Sequence, residues 1–194
     1  MSRILGLDLS LTASGWALAV DGKVDSYGLI PGKYDGIARL IHNRDAVCDK
    51  IDAVKPDLVI FEDVAHHANN NLANENVGMA WMIRAELFAD KLPYVLCSPS
   101  SLKKFVCGSG GSPKNPIKKE HMLKFMATRF GHDVNDNNAC DALGLAYIGM
   151  ALVGDWQPTI DPQREVLAKI RESHPWLSKF VQVGQTAPIG KEEW

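Results

Sequence analysis

The sequence predicts an α/β protein: a mixed five-stranded sheet, three antiparallel strands and then two parallel ones, flanked by helices. Three observations predict it. The chain opens with short apolar runs separated by turn residues, which read as a meander. Further on, an apolar run over residues 57–64 (Asp-Leu-Val-Ile-Phe-Glu-Asp-Val) is hydrophobic on both faces, as a buried parallel strand is. Stretches of helical periodicity lie between and after these runs.

The elements follow in order. Ile4, Leu5 and Leu7 form a strand-length run that stops at Asp8. A Ser/Thr/Gly turn over residues 10–15 leads to a second apolar run, residues 16–20, which doubles back as a hairpin. Asp21-Gly22 is a turn pair, and a third strand over residues 23–30 ends at Pro31-Gly32. Residues 34–54 place Ile37, Leu40, Ile41, Val47, Ile51 and Val54 at helical spacing, and Pro56 closes that helix. Residues 65–76 are polar and read as a loop into a helix near residues 77–91. A short strand over residues 94–97 precedes Ser98-Pro99, an N-cap with a first-turn proline, and that helix ends at Gly108. Residues 108–116 form a flexible Gly/Ser/Pro loop. Helices follow over residues 117–130, closed by Gly131, and over residues 137–152, capped by Asp136. The latter is apolar or small all round, hence buried. A last helix spans residues 161–173, and Trp156, Trp176 and Trp194 read as packing residues. Residues 1–152 form the main domain and 153–194 a helical extension of it.

With 194 residues, 46% of them hydrophobic, the chain suffices for one globular core. No apolar run approaches the roughly 18 residues of a membrane span. The four cysteines are scattered, without a C-x-x-C pair, and no signal peptide is visible, which predicts a cytosolic protein with reduced thiols. The formal net charge is −2, yet residues 103–129 hold Lys103, Lys104, Lys114, Lys118, Lys119, Lys124 and Arg129 against Glu120 alone. Such a cluster is a footprint for phosphates; its bland alternative is a solvated helical face.

Three acids stand in apolar surroundings: Asp8 and Glu62 at strand ends, and Asp141 in the buried helix with Asn138 three residues before it. A buried carboxylate is costly unless a cation accompanies it. If the first and fourth strands are neighbours, all three acids converge. An all-oxygen donor set without sulfur or imidazole selects Mg²⁺ or Mn²⁺. Two such ions would activate a water against a phosphodiester. The alternatives are turn-satisfying or helix-capping roles for the acids.

The run from Gly6 to Trp16, with Val59-Ile-Phe-Glu62 and Asp141-Ala-Leu-Gly-Leu-Ala146, resembles RuvC-type Holliday-junction resolvases. Lys103-Lys-Phe-Val-Cys-Gly108 is similar to the basic segment of that family. The resemblance covers about residues 3–150. It implies a ribonuclease-H-like fold, a homodimer and paired metal-dependent nicks on four-way DNA junctions, with no small-molecule cofactor. Asp8, Glu62 and Asp141 would hold two Mg²⁺ ions, Mn²⁺ substituting, with Asn138 at a fourth ligand position where the family commonly has an acid. Lys119 would sit at the scissile phosphate, with Lys118 the competing choice. Lys103, Lys104, Lys114 and Lys118 would contact DNA, and His66, His67, Asn69 and Asn70 would probe the junction centre. The family usually puts an aromatic wedge there, and this segment has no Phe or Tyr. The Asn at position 138 keeps a non-cleaving junction binder open. A ribonuclease-H-like nuclease for other branched DNA or RNA/DNA hybrids is a further alternative. The actin-like kinases and ATPases share the Gly-x-Asp opening but need a second domain. The divergence resembles phage-encoded members, whose site of action would be the host cytoplasm.

Overall fold

The computed structural model describes residues 2–63 and 71–178, the side chains of 71–73 excepted. Three strands open the chain: β1 (Arg3–Asp8), β2 (Ala13–Val20) and β3 (Lys23–Pro31). After helix α1 (Gly36–Val54) comes β4 (Leu58–Glu62), and after α2 (Asn71–Ala89) comes β5 (Tyr94–Cys97). Four helices complete the order: α3 (Pro99–Cys107), α4 (Lys119–Phe130), α5 (Asn137–Val153) and α6 (Asp161–Ser173). The sheet order is β3-β2-β1-β4-β5. β2 pairs antiparallel with β1 and β3, whereas β1–β4 and β4–β5 are parallel. This is the mixed sheet the sequence predicts.

Alternation along the strands separates two cores. Leu5, Leu7, Val59 and Phe61 face α1 and α2, where they meet Val47, Ile51, Met79, Ile83 and Leu87. Ile4, Leu58 and Ile60 face the other way, onto α5 and the helices around it. Period two then dictates that Asp8 and Glu62, each continuing the second set, point to the α5 face. α5 lies close on β1 and β2 because small residues permit it. A Cβ at Gly6 would overlap the Ala142 carbonyl, and one at Gly15 would overlap the Asn138 carbonyl.

Two helix starts differ from expectation. α2 begins at Asn71, within the stretch read as loop, because tertiary bonds override the low helix propensity of its asparagines. Asn76 donates to the Leu9 carbonyl at 3.2 Å, and Glu75 pairs with Arg39. α4 begins at Lys119 rather than residue 117, since Lys118 is its N-cap and donates its backbone N–H to His121 Nδ1.

Residues beyond 152 join the main core through Val166, Leu167, Ile170 and Leu177. Trp156 packs on Phe105 and Phe130, as its packing role requires; Trp176 packs against the same core, and Trp194 lies outside the described residues. Among the described residues no helix is long and apolar enough to cross a membrane.

Candidate active site

β1 and β4 carry two of the acids to the same place. The register pairs Leu7 with Phe61, so Asp8 and Glu62 are the next step along neighbouring parallel strands. They end at the carboxyl edge of the parallel strands, where open α/β sheets bind ligands. α5 runs antiparallel to β1: its first turn lies over Gly15, opposite Asp8, and Gly149 lies over Ile4 and Ile60. That direction brings Asp141 from the amino end of α5 to the two strand acids. Carboxylate oxygens of Asp8, Glu62 and Asp141 all lie within 4.8 Å of one another.

The turn after Asp8 is held on several sides. Ser14 is buried, and its hydroxyl bonds both the Ser10 N–H and the Ser10 carbonyl. Asn43 of α1 donates to the Leu11 carbonyl at 2.9 Å, and Asn76 holds Leu9. Asp136 caps α5 through the Ala139 N–H at 3.0 Å.

Three acids this close cannot all ionise without cost. Burial pushes Asp8 well above the ordinary carboxylate range, with the charges of Glu62 and Asp141 and a hydrogen bond to Glu62 adding to it. Asp141 is pushed up to about 7, by burial first and then by Glu62. Glu62 is raised by burial, against which its hydrogen bond to Asp8 and the charge of Lys103 act. Burial and the hydrogen bond between Asp8 and Glu62 thus favour a proton on the pair. A hard divalent cation would displace that proton and turn the repulsion into attraction, so the donor set fits Mg²⁺ or Mn²⁺.

Two lysines face this cluster. Lys119 acts on Asp8 and Asp141, and Lys103 on Glu62 and Asp141. Of the adjacent pair, Lys119 therefore reaches the acids, while Lys118 serves α4 as N-cap. The sequence places Lys103 only among the DNA-contacting lysines, and its action on Glu62 and Asp141 has no local sequence signal. Lys104 forms an exposed ion pair with Glu165 of α6. Lys114 is exposed at the tip of a tight turn closed by backbone bonds between Ser112 and Asn115. His66, His67, Asn69 and Asn70 lie outside the described residues. Asn138 lies in the first turn of α5, and its side-chain amide donates to the Ala13 carbonyl at 2.6 Å.

Gln163 has no sequence signal and proves central to the lysine-bearing helix. It is fully buried, accepts from the Thr159 and Ile160 N–H groups, and donates to the Phe105 carbonyl at 3.3 Å. α6 thereby holds α3, which carries Lys103.

The sheet order is that of a ribonuclease-H-like fold, with three carboxylates converging at the carboxyl edge of its parallel strands. Within that class the chain is RuvC-like in sequence and in fold. It is 29% identical over 156 residues to the crossover junction endodeoxyribonuclease RuvC of Cutibacterium acnes, covering 75% of this chain and 76% of that protein. Thermus thermophilus RuvC in complex with a Holliday junction substrate superposes with a TM-score of 0.61 at 16% identity, over 81% of this chain and 99% of that one. The fowlpox virus resolvase in complex with its Holliday junction DNA gives 0.55 at 13% identity, over 77% and 97%. No family model matches the sequence.

Proposed function

We propose that this chain is a structure-selective endonuclease that resolves four-way DNA junctions by metal-dependent phosphodiester hydrolysis. The observation that carries the reading is the convergence of Asp8, Glu62 and Asp141 within 4.8 Å on a RuvC-like fold. The similarity to RuvC and to resolvases determined with junction DNA supports the substrate class.

Asp8, Glu62 and Asp141 would hold two Mg²⁺ ions, or Mn²⁺ in their place, with the Asn138 carboxamide oxygen as a neutral fourth donor. When bound, such a pair supplies an acidified attacking water and a counter-charge for the leaving oxygen. The chain's own residues do the rest. Lys119 and Lys103 bring positive charge to the cluster, offsetting the acids' repulsion of a phosphate. Asp136 and the turn around Ser14 and Asn43 keep the acids in one geometry. Lys114 and Lys118, at the exposed rim, meet flanking phosphates.

A junction has approximate two-fold symmetry, so paired nicks call for two sites related by a two-fold axis. A homodimer through α2 would supply them. Its outer stripe runs Gly78, Trp81, Ala85 and Phe88, with Trp81 49% and Phe88 43% exposed. Large and small apolar residues alternating at helical spacing suit a second copy of the same helix. His66, His67, Asn69 and Asn70 follow Glu62 in the chain and would contact the junction centre.

Incubation of the protein with a synthetic mobile four-way junction, with Mg²⁺ or with EDTA, tests the reading. Symmetric nicks that require metal, with duplex DNA left intact, are expected. Tight junction binding without nicks would replace the enzyme with a binding protein. Equal treatment of junction and duplex would remove the substrate assignment.

A further inference from the structure

We infer that Asn138 is a positioning residue, whose amide N–H pins the first turn of α5 to the start of β2 and so sets where Asp141 meets Asp8. The inference rests on the proposed nuclease site and gives Asn138 a task separate from metal ligation. Its Nδ2 donates to the Ala13 carbonyl at 2.6 Å, across 125 positions of sequence. Ala13 is the first residue of β2, and Gly15, two residues on, is the register partner of Asp8. The backbone of Asn138 lies directly against Gly15, where any side chain would collide with its carbonyl. The tether therefore acts one strand away from Asp8 and one helical turn before Asp141.

Elsewhere α5 packs closely on the sheet through apolar contacts, with Gly6 against Ala142, Leu145 and Ala146 and Gly149 against Ile4 and Ile60. Such packing fixes distance but is non-directional. A hydrogen bond from a side-chain amide fixes the slide and rotation of the helix as well. Only a donor can serve here, because the partner is a carbonyl oxygen. An ionised carboxylate at position 138 has acceptors alone, and would face the Ala13 oxygen with like charge. The acid usual in the resembling family would thus loosen this site rather than complete it.

Two variants, Asn138→Ala and Asn138→Asp, separate this role from simple ligation. In EDTA at pH 8, Asn138→Ala should lower Tm by about 2–4 °C. Asn138→Asp should lower it further. With saturating Mg²⁺, turnover on the four-way junction should rank wild type above Asn138→Ala above Asn138→Asp. Junction affinity in EDTA should stay unchanged for Asn138→Ala, so the loss falls on turnover. A residue acting only as an underpowered metal ligand predicts the opposite order, with Asn138→Asp at or above wild type. That order, or an unchanged Tm for Asn138→Ala in EDTA, would overturn the inference. If wild type neither binds nor cuts junctions, the functional reading fails, and the Tm order still decides the tether.

Discussion

The acids and the lysines of the site are built on different kinds of structure. Asp8, Glu62 and Asp141 stand on β1, β4 and α5, elements that are almost wholly buried. Lys119 opens α4 behind an exposed loop, and Lys103 lies on a short helix held from behind by Gln163. The acids therefore have one geometry, at the cost of repulsion between them. The lysines have room to adapt to a phosphate. The proposed site, with cations held deep and DNA at its rim, would need both behaviours.

Substitutions that touch the buried half should have the largest effect. Asp8→Asn should reduce junction cleavage by at least about 10³-fold, since an acid shared by the whole cluster is lost. Junction binding in EDTA should be retained or tightened, because a charge that repels phosphates is gone; loss of binding would show that Asp8 supports the fold instead. On the rim, Lys119→Ala and Lys103→Ala should each lower turnover by about 10²-fold, as removal of a charge-stabilising donor does. Lys104→Ala, by contrast, should change turnover by less than about twofold, because that ammonium is engaged with Glu165 in an exposed ion pair. Equal losses for Lys103 and Lys104 would erase the distinction between a site lysine and a surface one. The smallest effect is expected at the loop tip: Lys114→Ala should lower the salt slope of junction binding by about 1 and leave turnover at saturation unchanged.

The same contrast decides what could be read from sequence. Asp8, Glu62 and Asp141 were legible because an acid ending or interrupting an apolar run is conspicuous on physical grounds. Local signals also served α6, bounded by Asp161-Pro162, and α3, bounded by Ser98-Pro99 and Gly108. Lys103 and Lys104 look alike in sequence, and only their directions around α3 separate them. The early start of α2 was hidden because Asn76 gains its bond from Leu9, far off in the chain. The tie from Asn138 to Ala13 is equally non-local. At position 138 the sequence shows a neutral donor to a metal, and it does not show the second partner of that amide, which lies across the fold.

Thermal unfolding across pH, with and without Mg²⁺, tests most directly the claim that the three acids form one cation site. The carboxyls are raised in the folded chain, Asp141 to about 7, above the ordinary value near 4 in the unfolded chain. These three carboxyls therefore hold more proton in the fold than in the unfolded chain between those values, and their contribution to the stability of the metal-free protein falls as pH rises from about 4 through 7, against an opposite contribution from His132 and His174, which burial lowers. Mg²⁺ should restore that loss, raising Tm at pH 8 by several degrees and having little effect at pH 5, and Asp8→Asn should blunt the response. A metal-free Tm that climbs from pH 5 to 8, with no response to Mg²⁺ at pH 8, would contradict the account.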